Sequence, residues 1–313
     1  MINKKILDTK SVSGLTGEMT RLLEKELSGC FDSMETDALG SVVFSKKAGA
    51  GKKLMLSCGI DTAGLIATYA EGTKISVSSL GSFHVGNLAF GRVCFEKLSG
   101  VLVPSGAYSF DTPITDYVVE TFDKKAKDKI QLGDTAYFDE GIKCHGGKLY
   151  TGFASGAKMS IAFTAELFKK LVGEGGRFLK ENGIGELYAA FLGQESLGSR
   201  GASSTASGIN PDYIIHVCPM DMTEKNVGSF DFSDGVAVKM LDRAFVAAPE
   251  ALSLCETMLK ELGVKNKRRV SNNSYSALKN LGLCDKGAFV CEIGIPVKFT
   301  GTRAELVSDP FKA

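Results

Sequence analysis

The side chains that could bind a soft metal or attack a carbonyl carbon are three histidines, at 84, 145 and 216, and eight cysteines. Their spacing limits both chemistries. The cysteines stand at 30, 58, 94, 144, 218, 255, 284 and 291, and no two form Cys-x-x-Cys. Neither a zinc knuckle nor a disulfide framework is indicated, and buried, reduced thiols are expected. Cys144 and His145 are adjacent, and neighbouring side chains in an extended segment point to opposite faces, so they make a poor nucleophile–base dyad. His216 lies between Ile215 and Val217 in the apolar run Tyr213–Cys218, where a satisfied buried or half-buried imidazole is expected. The glycine- and lysine-rich stretch 46–53 fails the phosphate-loop pattern: Lys46 stands where Gly is needed and Lys53 where Ser or Thr is needed. No pair of carboxylates is placed for glycosidic acid–base work.

The elements that must carry any site fall into two textures. Leu15, Met19, Leu22, Leu23 and Leu27 form one stripe of a helix over 15–30. Strand-like runs at 41–45 and 54–58, with Ala48–Lys53 between them, predict a hairpin. From about Leu65 to Phe153 short β-type runs, at 74–77, 92–95 and 100–103, are broken by glycines, and helical periodicity returns only over Asp116–Lys129. After Gly156 helices and strands alternate. A helix over Lys158–Val172, a buried strand over Leu187–Leu192, a small-residue helix over Arg200–Ser207, a strand over Tyr213–Cys218 and a helix from Pro249 to Leu262, ended by Gly263, are predicted. The expected architecture is a three-layer α/β/α sandwich with a mostly parallel central sheet, carrying a small inserted β-barrel-like domain. Residues 1–64 and 155–313 would form the α/β domain and 65–154 the insertion.

The 313 residues suffice for two domains, and 37 basic against 36 acidic residues argue against a nucleic-acid surface or a polybasic membrane patch. The run Lys265–Arg269 lacks interleaved aromatics and fits a solvated face. No apolar run has the length of a membrane span, and the N-terminal residues lack a signal-peptide core, so a cytoplasmic protein is expected.

Five segments carry a resemblance to a known family, beginning with Leu15-Thr16-Gly17-Glu18, which resembles its opening Ser-Gly-x-Glu. Gly193-Gln194-Glu195-Ser196-Leu197-Gly198-Ser199-Arg200-Gly201-Ala202 and Leu54–Gly64, containing Cys58-Gly59-Ile60-Asp61, resemble two active-site motifs of the dinuclear-metal glutamyl and deblocking aminopeptidases (peptidase family M forty-two, "endoglucanase M" type). Ile209–Ile215 resembles the family's Pro-Asp strand, and Ile293–Val297 its Gly-Ile-Pro strand. The resemblance implies the fold described above and a dimerisation role for the insertion. It also implies two divalent metals held by five side chains, with a glutamate as general base.

At the matched positions the general base is retained as Glu195, but the ligands are not. Gly59 replaces the first histidine, Ser155 (or Ala154) the bridging aspartate, Ser196 a glutamate, Cys218 an aspartate and Leu306 the last histidine. Asp61, which in the family orients a ligand histidine, is expected instead to cap a helix or turn. Cys58, one residue from Gly59, is expected to pack behind the site. The resemblance is therefore to a degenerate member without its metal ligands and with no cofactor: a pseudo-peptidase that binds or scaffolds. It would assemble with itself as a dimer, or a dodecamer as the family does, and could take a peptide or small-molecule ligand. Two alternatives stay open. One is a metal-dependent aminopeptidase with unusual ligands (Asp61, Glu195, Cys218) for zinc or cobalt; the other is a metal-free hydrolase using Cys218 or Ser196.

Overall fold

The computed structural model describes residues 2–139, 141–173, 176–223, 229–243, 245–271 and 277–313. The large sheet is built from β1 (Ser33–Thr36), β2 (Val42–Lys47), β3 (Lys52–Gly59), β10 (Lys143–His145), β11 (Leu149–Thr151), β12 (Ile184–Leu192), β13 (Tyr213–Asp221), β14 (Val236–Leu241), β15 (Asn266–Val270), β16 (Phe289–Lys298) and β17 (Leu306–Ser308). Its order is β1-β2-β12-β3-β13-β16-β17-β11-β10, with β14 pairing both β16 and β15. The centre, β12-β3-β13-β16, is parallel, as the apolar runs at 187–192 and 213–218 imply. Apart from the parallel pair β14–β15, the flanks are antiparallel, so the whole sheet is mixed.

The hairpin expected between β2 and β3 does not form. β12 lies between them, antiparallel to β2 and parallel to β3. Glycines permit this wedge: a Cβ on Gly51 would stand 2.4 Å from Gly183 O, and one on Gly185 2.4 Å from Gly51 N. The connection instead hydrogen-bonds to the start of β12, through Ala48 N and Gly49 N to Gly185 O.

Helices cover both faces. The helix Ser155–Val172 packs on β3, β12 and β13, and Pro249–Glu261 on β13, β14 and β16. The helix Arg200–Ile209 packs on β12 and on the short helix Leu278–Leu281, whose Asn280 Nδ2 donates to Ser199 O. The main core is aliphatic, with Phe44, Phe163, Phe168 and Phe191 fully buried in it.

The second body is a closed barrel, β4-β5-β8-β7-β6-β9, of β4 (Gly64–Glu71), β5 (Lys74–Leu80), β6 (Arg92–Cys94), β7 (Ser99–Pro104), β8 (Tyr117–Glu120) and β9 (Thr135–Phe138). It has its own core, including Leu65, Ile75, Leu102 and Tyr117. The helix expected over Asp116–Lys129 is confined to Ala126–Lys129, because Tyr117 and Val119 alternate inward as strand residues. The barrel strands end at Phe138, and β10 and β11, expected within the insertion, belong to the large sheet. Among the described residues no helix is long and apolar enough to cross a membrane.

Candidate functional site

Strand register builds a polar row through the middle of the sheet. Ser57 of β3 pairs with His216 of β13, His216 with Glu292 of β16, Glu292 with Lys239 of β14, and Lys239 with Arg269 of β15. All five are buried. A buried charge is costly unless compensated, so such a row is a candidate site. Two residues beyond His216 on the same face is Cys218.

The loop after β12 closes over this row. Gln194 and Ser199 both adopt left-handed backbone (φ 55° and 58°), a conformation that costs energy for residues with a side chain and is held here by surrounding bonds. Asp61 supplies those bonds: its carboxylate accepts from Glu195 N (2.8 Å), Ser196 N (3.2 Å) and the Ser13 hydroxyl. Asp61 thus caps the turn Glu195–Leu197.

Glu195 turns inward. A Cβ built on Gly59 would lie 2.6 Å from Glu195 Cγ, so the Glu195 side chain fills the space in front of Gly59. Its Oε1 accepts from Ser199 Oγ at 2.9 Å and lies 3.8 Å from His216 Nε2, while Oε2 has no hydrogen-bond partner among the described residues. Burial pushes the Glu195 carboxyl up to about 7. Burial, aided by the positive charge of Lys239, pushes His216 down to about 3, so its imidazole is neutral at physiological pH. Its Nδ1 is 3.1 Å from Ser57 Oγ.

At the other end of the row, Lys239 Nζ contacts Glu292 Oε1 directly and lies 3.7 Å from Asp242 Oδ2. Burial opposes the Lys239 ammonium, but Cys218, Glu292 and Asp242 outweigh it and hold the group charged. Burial and the negative charge of Glu292 push the Cys218 thiol well above its ordinary value. Arg269 Nη2 donates to Asp221 O at 3.3 Å.

The other sequence candidates are dispersed. Ser196 is half-buried, and its Oγ stands 3.5 Å from Asp61 O. Ser155 instead meets Glu305, the residue before Leu306: Ser155 Oγ donates to Glu305 O, and the Glu305 side chain accepts from Gly156 N and Gly301 N. Cys58 faces the opposite side of β3, toward Thr164, and burial pushes its thiol up to about 12. His84 stacks on Phe110 beside the barrel, and His145 is exposed on β10. Arg269, expected on a solvated face, is instead buried in β15, and Lys239, Glu292 and Asp242 were absent from the sequence candidates. A cleft of about 610 Å³, bordered by Ser13, Ile66, Leu80, Lys97, Gln194 and Arg200, separates the loop from the barrel.

These residues do not fit a pair of divalent metals. Gly59 and Leu306 offer no donor, Ser155 and Ser196 are bound to backbone carbonyls, Cys218 is held as a thiol, and an ammonium lies among the carboxylates. Among the described residues, no group of three or more His, Cys, Asp or Glu side chains is arranged to hold a metal.

Fold and loop together define an aminopeptidase-type α/β chain with an inserted barrel. Residues 40–309 match the model of the M42 glutamyl aminopeptidase family, and the chain belongs to that family. A putative aminopeptidase of Acetivibrio thermocellus is 25% identical over 320 residues, covering 97% of this chain and 92% of the relative. Aminopeptidase APDkam598 from the archaeon Desulfurococcus kamchatkensis superposes with a TM-score of 0.85 at 19% identity, covering 98% of this chain and 89% of that one. The Pyrococcus horikoshii TET1 peptidase, described as assembling into a tetrahedron or a large octahedral shell, superposes with a TM-score of 0.84 at 17% identity, covering 99% and 94%.

Proposed function

We propose that this chain is a non-catalytic member of its family, a pseudo-peptidase that binds or scaffolds rather than hydrolyses. The observation that carries the reading is the placement of Glu195. A general base must face a bound water and the scissile carbonyl; here the carboxyl lies on Gly59 and addresses a neutral His216. The inserted barrel mediates self-association, as a dimer or a larger shell, and the assemblies described for the TET1 peptidase support this. The cleft between barrel and loop has the size for a peptide or small molecule.

Metal content, measured by plasma mass spectrometry after incubation with zinc, cobalt and manganese, tests the reading together with an aminoacyl-anilide panel. Near-zero metal and no hydrolysis are expected. About two metals per chain with metal-dependent release of the anilide would overturn it in favour of an aminopeptidase using Asp61, Glu195 and Cys218. Hydrolysis without metal, abolished by Cys218→Ser or Ser196→Ala, would instead favour a metal-free hydrolase.

A further inference from the structure

The polar row contains two buried cations, the register partners Lys239 and Arg269. Lys239 is 3% exposed, and its Nζ reaches Glu292 and Asp242, which are 0% and 5% exposed. Cys218, the residue at the position matched to a metal-binding aspartate, interacts with both Lys239 and Glu292. Three strands supply this group, because Glu292 is the register partner of His216 on one side and of Lys239 on the other. The ammonium therefore lies among the acidic and thiol side chains that face the former ligand position.

Without a cation, Glu292 and Asp242 would be buried like charges, each desolvated and each repelling the other. The usual solution in a carboxylate-lined site is a metal ion. Here the chain carries the compensating charge covalently. A divalent ion brought within about 4 Å of that ammonium is repelled by it, and would also have to separate it from its carboxylates.

We infer that the Lys239 ammonium is this chain's internal substitute for the metal charge: it balances Glu292 and Asp242 beside Cys218 and keeps divalent cations out of the site. The inference rests on the proposal that the hydrolytic centre is gone, and it adds what replaced it. The fold is then independent of divalent metal, and the site is committed to a fixed monovalent charge.

The test compares thermal unfolding and retained zinc for the full chain, for Lys239→Ala and for Lys239→Met/Glu292→Met, each in chelator and in zinc. The native chain should unfold at the same temperature in both and retain no zinc. Lys239→Ala should lose about 10 °C in chelator, the effect of leaving buried carboxylates unpaired, and regain part of it in zinc with about one ion retained. The double variant should lie within a few degrees of the native chain and ignore zinc, since both charges are removed together. Lys239→Ala as stable as the native chain, or unfolded and indifferent to zinc, would overturn the inference alone. So would a double variant as damaged as the single one. A native chain that retains about two zinc ions and hydrolyses anilides would overturn the underlying proposal as well.

Discussion

The side chain of Glu195 occupies the space that any side chain at Gly59 would enter, with Glu195 Cγ 2.6 Å and Cβ 2.7 Å from a Cβ built on that glycine. The contact is with the root of the Glu195 side chain, which cannot swing aside while Asp61 holds the loop backbone. Gly59→Ala should therefore destabilise by about 1–3 kcal/mol, the range for overpacking. Glu195→Gly removes both the obstructing Cγ and Cβ, so the double variant should recover much of that loss. A denaturant double-mutant cycle reads the coupling, and strictly additive effects would place Glu195 elsewhere.

Glu195 and His216 titrate with opposite consequences for stability. The carboxyl is raised in the fold to about 7, so the stability tied to its protonated form is complete below its unfolded value near 4.5. That stability is lost as pH rises through 7. The imidazole is depressed to about 3, so its contribution is complete above its unfolded value near 6.5 and is lost as pH falls toward 3. Between about 4.5 and 6.5 the two oppose each other. Above pH 7 only the Glu195 penalty remains, on the order of 3 kcal/mol from the size of the shift. Glu195→Gln should accordingly gain stability over the native chain at pH 8 and little or none at pH 4.5. Equal differences at both pH values would show that Glu195 does not titrate near neutrality.

The layers of the fold were legible because apolar runs such as Leu187–Leu192, short for a helix, fit buried strands, and Pro249 with Gly263 brackets a helix. The β12 wedge was not, since adjacency in sequence suggests a hairpin and only the close backbone approach at Gly51 and Gly185 permits the alternative. Glu195 and Asp61 could be found from their motifs. Lys239, Arg269 and Glu292 could not, because their meeting depends on register among strands far apart in the chain. A faint local signal did exist: each of Val236–Leu241, Tyr213–Cys218 and Phe289–Val297 is an apolar run with one Lys, His or Glu inside it. A lone charge in a strand that must be buried on both faces implies a partner on the neighbouring strand.

Asp61 ties the strand before it to the loop that carries Glu195. Removing its carboxylate orphans two backbone N–H groups and the Ser13 hydroxyl together. Asp61→Ala should cost about 2–3 kcal/mol, more than a single lost cap, while Asp61→Asn, which keeps one acceptor oxygen, should cost less. Amide hydrogen exchange should show the loss locally, with faster exchange at Glu195 and Ser196. Unchanged protection there in Asp61→Ala would mean the loop is held by the left-handed turns alone.

Cysteine reactivity separates a thiol nucleophile from a structural one. Only the thiolate reacts, and both Cys58 and Cys218 are held protonated, the first by burial and the second by burial beside Glu292. Cys144 is exposed on the edge strand β10. A colorimetric thiol reagent at pH 8 should modify Cys144 first, and Cys144→Ser should abolish that fast phase. Cys218, half-buried but held protonated, should react more slowly than Cys144. A fast phase that survives Cys144→Ser and disappears in Cys218→Ser would mean that the site thiol is activated. The pocket would then have to be sought as a cysteine-dependent hydrolase rather than as an inert scaffold.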